Sequence, residues 1–210
     1  ILIFFNKKIF SYYYTNKFSN WVERPVKIKK LNFNYSGYVK IEDIEILNSN
    51  KNYFTNIFKA EKIEVNFEMS SIFSDLIIIK SLDIYYPEFF LDINIKKDNQ
   101  NTDNKKIYED NIGLAKKINE NLPDKIWPKK NKDVNFLIKE SNLYGSMGYI
   151  KVPQILNPSK IKLSQMKFSS FGNDKNYRHY KDILNSILYD LYARTDEIEL
   201  KQLLREIYKF

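Results

Sequence analysis

The sequence predicts an α+β fold, a curved and mainly antiparallel β-sheet with one apolar face, preceded by an N-terminal helix and followed by C-terminal helices. Between Lys27 and Ile95 the apolar residues recur with a period near two, the mark of strands buried on one side. From Tyr180 onward the period becomes helical: Tyr180, Ile183, Leu184, Ile187, Leu188 and Leu191 share one stripe, and Leu200, Leu203, Leu204 and Ile207 share another. Strands first and helices last is the order of an α+β domain. The expected organisation is a helix over 1–25, a sheet domain over 26–176 with a polar loop at 96–106, and a helical segment over 177–210.

The chain starts on the apolar run Ile1-Leu2-Ile3-Phe4-Phe5, followed by Asn6-Lys7-Lys8 and then Tyr12, Tyr13, Tyr14, Phe18 and Trp21. That run is far shorter than the roughly 20 residues a bilayer-spanning helix needs, and it reads as the last turn of a membrane anchor. Aromatic residues favour the membrane interface, which makes Phe4, Phe5, Tyr12, Tyr13 and Trp21 the membrane-proximal set. An amphipathic helix packed on the domain is the alternative reading of the same residues.

Within the sheet the clearest strand is Lys62 to Met69, where Ile63, Val65, Phe67 and Met69 alternate with Lys62, Glu64, Asn66 and Glu68. Leu31, Phe33 and Tyr35 before Ser36-Gly37, and Val39 and Ile41 after it, predict a hairpin. Between Ile41 and Ile44 the alternation slips by one residue, so a bulge or strand break is expected at Glu42-Asp43. Asn48 to Asn56 reads as a polar loop and Ser70 to Asp75 as a short connection. Leu82, Ile84 and Tyr86 alternate up to Pro87, with Phe89, Leu91, Ile93 and Ile95 after it. Pro87 lacks a ladder donor and belongs at an edge or a junction. Ile107 to Leu122 carries a weak helical stripe through Ile112, Ala115 and Ile118. Strands resume at Val134 to Ile138, around Gly145 and Gly148, and at Ile161 to Phe168. Thr195 with Asp196 supplies an N-cap region for the last helix. The candidate apolar face comprises Leu31, Phe33, Val39, Ile41, Ile63, Val65, Phe67, Leu82, Ile84, Phe89 and Leu91. Such a face must be covered, dimerised or occupied by a ligand.

Several chemistries lack their parts. There is no cysteine, so no disulfide, thiolate nucleophile or thiolate metal site. His179 is the single histidine, which leaves a Ser-His triad or a His-ligated zinc centre incomplete. No catalytic residue, metal or cofactor is expected. Net charge is +8, yet apart from Arg24, Arg178, Arg194 and Arg205 the basic residues are dispersed lysines, whereas phosphate and guanine recognition favours the planar arginine fork. Specific nucleic-acid binding is not expected. Glu42, Asp43 and Glu45 read as a solvated strand edge.

The strand series resembles the N-terminal region of the AsmA family of bacterial envelope proteins, in particular its short single-domain members. The matching positions are Gly37, Val39, Ile41, Asp43, Ile44, Ile46 and Asn48, followed by Ser49 where the family commonly has proline. Ala60, Glu61, Ile63, Val65, Phe67, Met69 and Ile72 are similar to its next strand. Ile79, Lys80, Ser81, Leu82, Ile84, Pro87, Phe89, Leu91 and Asp92 resemble its strand, proline, strand pattern. Ile161, Leu163, Met166, Phe168 and Gly172 resemble its closing strand, with the helix from Tyr180 to Leu191 after it. The resemblance implies an inner-membrane protein anchored at its N-terminus with its body in the periplasm. It also implies no catalysis and a role in lipid transport or outer-membrane homeostasis, with phospholipid as ligand. The same apolar face and C-terminal helices would alternatively serve a homo-oligomer or an envelope protein partner.

Overall fold

Each long strand places its apolar residues two apart and then, at one level of the sheet, three apart; this irregularity shapes the molecule. A computed structural model of the chain describes residues 7–22, 24–48, 53–97, 106–113, 135–172 and 178–210. Helix α1 (Lys7–Val22) leads into β1 (Val26–Phe33), β2 (Tyr38–Leu47) and β3 (Asn56–Phe67). After a 3-10 turn at Met69–Ser71 come β4 (Leu76–Tyr85), β5 (Glu88–Lys97) and β6 (Lys106–Asp110). Then follow β7 (Asn135–Tyr144), β8 (Met147–Lys151), β9 (Ser159–Lys162), β10 (Met166–Gly172) and the short β11 (Arg178–His179), with α2 (Tyr180–Arg194) and α3 (Ile198–Tyr208) last.

The strands form one curled sheet in which β1, β2 and β3 are an antiparallel meander, and β3 pairs with β4 over one half of its length and with β5 at the other. The sheet is mixed, because β4 runs parallel to β7 and β5 parallel to β8. A parallel pair needs a crossover of a dozen or more residues, and the chain between Lys97 and Asn135 makes it, laying β6 antiparallel on β5 along the way.

Register shows that the breaks between β4 and β5, β7 and β8, and β9 and β10 are creases within continuous strands. Lys62 pairs with Tyr85 and Phe58 with Phe89, so β3 reads across the break without losing a residue. Tyr85 faces Tyr144 and Glu88 faces Met147, and likewise Leu143 faces Met166 and Met147 faces Lys162. Lys29, Asp43, Glu61, Tyr86, Gly145 and Ser164 therefore fall on one line crossing the sheet. Asp43 and Tyr86 take left-handed φ values of 51° and 52°, and Gly145 takes 67°. A residue in this conformation rotates the following side chain to the other side of the strand. Residues three apart across the line share the inner face: Ile28 with Leu31, Ile41 with Ile44, Ala60 with Ile63, Ile84 with Pro87, Leu143 with Ser146, and Leu163 with Met166, with the left-handed residue present on β2, at the β4–β5 break and at the β7–β8 break, and none at Lys29, Glu61 or Ser164.

Two clusters fill the inner face. In one, Ile187, Leu188 and Leu191 of α2 and Leu200, Leu204 and Ile207 of α3 pack on Leu91, Ile93, Leu143, Ile150, Ile161, Met166 and Phe168. In the other, Val22 of α1 joins Val26, Ile44, Ile46, Ile57, Ala60, Ile63 and Val65, with Phe18 packed against them. Helix α3 is fastened to β6 by the Tyr208 hydroxyl donating to Asp110 at 2.8 Å and the Tyr108 hydroxyl donating to Glu206 at 2.7 Å. Burial and then the Glu206 carboxylate push the Tyr108 hydroxyl up to about 12, so it remains a donor at neutral pH.

Several expectations change. Glu42-Asp43 is neither a bulge nor a break: β2 is continuous and keeps its pairing with β1 and β3, and the slip is absorbed by the φ of Asp43. Nor is that segment a strand edge, because β2 lies between β1 and β3. Tyr86 does not continue the alternation; it is turned outward at the crease and Pro87 takes the buried place. Residues 107–110 are strand, not helix, since they pair with β5, and Ile112 lies in the turn after it, packed against the core; Ala115 and Ile118 lie outside the described residues. The polar loop is shorter than 96–106, as Lys96 and Lys97 belong to β5 and Lys106 to β6. The N-cap position of the last helix is Glu197, which makes no side-chain capping bond, and not the Thr195-Asp196 pair; Thr195 is buried.

Candidate functional site

Paired residues on neighbouring strands lie on the same face, so the registers assemble the candidate apolar positions into rows. One row runs Leu31, Ile41, Ile63, Ile84, Leu143, Met166, and the next runs Phe33, Val39, Val65, Leu82, Ser141, Phe168. Beyond the crease a third row runs Val26, Ile46, Phe58, Phe89, Gly148, Ile161. Cover changes along each row. The β7 and β10 ends are buried under α2 and α3, whereas Leu31, Val39, Ile41, Phe67, Leu82 and Ile84 are only half-buried and Phe33 is exposed. Of the expected face, Leu31, Phe33, Val39, Ile41, Ile63, Val65, Phe67, Leu82 and Ile84 thus come together on an open-sided apolar surface. Phe89 and Leu91 lie on the other side of the crease, Leu91 in the helix-covered core and Phe89 packed against it. Sequence reading missed Ile79, which pairs with Phe67 and packs against both clusters; its place in the unbroken run Leu76 to Ile79 hid its phase.

The outer face carries the complementary chemistry. Lys30 and Lys40 both reach Glu42, at 3.2 and 2.6 Å, Lys62 reaches Glu64 at 3.2 Å, and the Tyr38 hydroxyl donates to Glu64 at 2.7 Å. That bond pushes the Tyr38 hydroxyl up to about 12 and holds the Glu64 carboxyl below its ordinary value. These ladders keep the polar side polar but contribute little to stability, since exposed pairs are worth about 0–1 kcal/mol each. Along the crease a hollow of about 320 Å³ is lined by Asp43, Glu45, Lys59, Glu61, Tyr86 and Glu88 among others. A larger cleft of about 710 Å³ lies between β10 and α2, where Asp190 accepts from the backbone N–H and the hydroxyl of Ser164 and pairs with Arg194. Among the described residues no group of His, Asp and Glu is placed to hold a metal ion.

One polar cluster is buried. Asp92 accepts from the Asn48 side-chain amide at 3.3 Å and from the Phe54 backbone N–H at 3.0 Å, and its own N–H donates to Asn111 Oδ1. Asn111 donates to the Phe90 carbonyl, and the Arg24 guanidinium donates to the Asn111 carbonyl. The cluster ties the start of β1, the end of β2 and the β5–β6 pair together and offers no reactive geometry. Burial raises the Asp92 carboxyl above its ordinary value. A carboxyl raised in the folded state binds protons more tightly there, so its contribution to stability grows as pH falls from the raised value toward the unfolded one. Relative to Asp92→Asn, the wild-type chain should therefore gain stability between pH 7 and pH 4, measured by urea unfolding at each pH.

Of the membrane-proximal set, Tyr12 is exposed on α1, while Phe4, Phe5 and the side chains of Tyr13 and Trp21 lie outside the described residues. Among the described residues no helix is long and apolar enough to cross a membrane. Comparison with known proteins finds no family model, no curated protein and no solved structure that matches the chain.

Proposed function

We propose that this chain is a non-catalytic, membrane-anchored envelope module that holds the hydrocarbon of a phospholipid on its inner sheet face and acts in lipid transport or outer-membrane homeostasis. The observation that carries the reading is the uneven cover of the inner rows. Helices α2 and α3 fill the β7 to β10 side, and the β1 to β4 side is left half-open with no charged residue among Leu31, Phe33, Val39, Ile41, Val65, Phe67, Leu82 and Ile84. An open apolar strip of this kind suits an acyl chain. The resemblance to the AsmA family supports the same ligand and a periplasmic body anchored at the inner membrane.

Native mass spectrometry of protein purified in mild detergent tests it. Wild-type protein should retain phospholipid, and Ile41→Glu should lose most of it. Because Ile41 is only half-buried, the same substitution should lower stability by no more than about 1–3 kcal/mol, measured by urea unfolding. The second reading, closure of the strip by another copy, is favoured by the outer edge of β1, which has no strand partner among the described residues. Lys27, Lys29 and Lys30 on that strand work against edge-to-edge pairing. A lipid-free dimer by light scattering would establish the second reading and overturn the first.

A further inference from the structure

The open strip ends at a rim of residues that, among the described residues, belong to neither core cluster. Tyr35, in the turn between β1 and β2, is 93% exposed, and Phe73, in the connection between β3 and β4, is 96% exposed. Phe33 and Met69 beside them are 42% and 41% exposed. The two turns touch: a Cβ at Gly37 would lie 2.9 Å from Met69 Sδ, and the Phe67 N–H donates to the Gly37 carbonyl at 2.9 Å. Phe33 is the terminal member of its inner row, so the rim continues the open strip with no polar residue of that row in between.

We propose that this rim inserts into the surface of a lipid bilayer and is the mouth through which the strip exchanges hydrocarbon with it; the second clause rests on the function proposed above. Three features favour a bilayer over a protein partner. Aromatic side chains bury about 150–250 Å² each, so the rim offers somewhat under the ~800 Å² per side that a stable protein interface takes. Its most exposed rings stand on turn tips, a wedge and not a flat face, and a wedge fits between headgroups. Lys80 is exposed on the polar side of β4 just behind the rim, where anionic headgroups would meet it, while Lys139 on β7 is held by Glu68 at 2.9 Å.

The absence of cysteine allows one label per chain. Full-length Phe73→Cys and Tyr35→Cys, each carrying a nitrobenzoxadiazole group, should brighten several-fold on vesicles of phosphatidylcholine and phosphatidylglycerol and be quenched by brominated lipid. Tyr189→Cys, exposed on α2, should not respond. The proposal is overturned if the rim labels stay dim while a Tyr12→Cys label responds, or if they brighten with protein concentration and no vesicles, which would mean contact between copies. The two readings fail separately: retained phospholipid with dim rim labels removes the rim and leaves the strip, and responsive rim labels on a chain that retains no phospholipid remove the strip and leave bilayer insertion.

Discussion

Gly148→Val should lift α2 off the sheet and destabilise the chain by about 3 kcal/mol, the upper range for overpacking a filled core. A Cβ at Gly148 would lie 2.0 Å from Leu191 Cδ2, and Leu191 is buried at the centre of the contact between α2 and the sheet. Gly148 stands in the row between Phe89 and Ile161, so a branched side chain there projects into the helix and not into solvent. Leu191 is 2% exposed and belongs to the same buried cluster as Leu188, Ile150 and Leu200, so displacing it disturbs packed core. Two checks separate this mechanism from general damage. Leu191→Ala alone should cost about 2–5 kcal/mol through the cavity it leaves. Gly148→Ala combined with Leu191→Ala should cost less than the sum of the two, since the added methyl occupies part of that cavity. Urea unfolding of the three variants measures the cycle, and a dye that fluoresces on apolar surface should bind Gly148→Val more strongly than wild type. If the strip holds lipid, a chain with α2 displaced should retain more phospholipid, as the covered half of each row becomes accessible.

How far the fold is legible in the sequence depends on which residues carry the signal. Alternation around Ile63, Val65 and Phe67 and the helical stripes through Ile187 and Leu204 place the sheet and its covering helices correctly, because each reports burial directly. The spacing of three at Ile41–Ile44 is visible, but its meaning is not: one slip looks like a bulge in one strand. The same slip recurs at Ile28–Leu31, Ala60–Ile63, Ile84–Pro87, Leu143–Ser146 and Leu163–Met166, and only the set reveals a crease crossing every strand. Three of its members are hidden because Ala60, Pro87 and Ser146 do not count as strong apolar residues, although all are buried. Strand direction is not encoded in alternation at all, so the parallel pairing of β4 with β7 is invisible until the crossover is seen. The Asn48–Asp92 contact escapes for a related reason: its members are 44 residues apart and each reads alone as a loop or strand polar residue. The open strip was half-legible, its residues named by phase and its lack of cover not.

Asp43→Val should be worse than its exposed position suggests, costing about 2 kcal/mol or more, because a β-branched residue resists the left-handed conformation by roughly 1–2 kcal/mol. Loss of the Lys29 ion pair adds little, as both partners are largely exposed. The larger consequence lies in phase. If residue 43 relaxes to extended geometry, Ile44 and Ile46 turn to the polar face, as any one-residue slip in a strand inverts every side chain after it. Ile44 and Ile46 are buried beside Val22, Val26 and Ala60, so α1 would lose the surface it packs on. Asp43→Gly and Asp43→Asn, which tolerate positive φ, should stay within about 1 kcal/mol of wild type. Tyr86→Val, at the next left-handed residue along the line (φ 52°), should repeat the pattern, with Tyr86→Gly near wild type. Thermal unfolding gives the ranking, and protection of the β1 and β2 amides in hydrogen exchange locates it: Asp43→Val should open β1 first, since among the described residues β2 is the strand that β1 pairs with. Equal costs for Val, Asn and Gly at position 43 would show that the residue acts through its carboxylate. A cost confined to Val, with early loss of β1 protection, would show that the crease is a backbone device setting which face of the sheet is apolar.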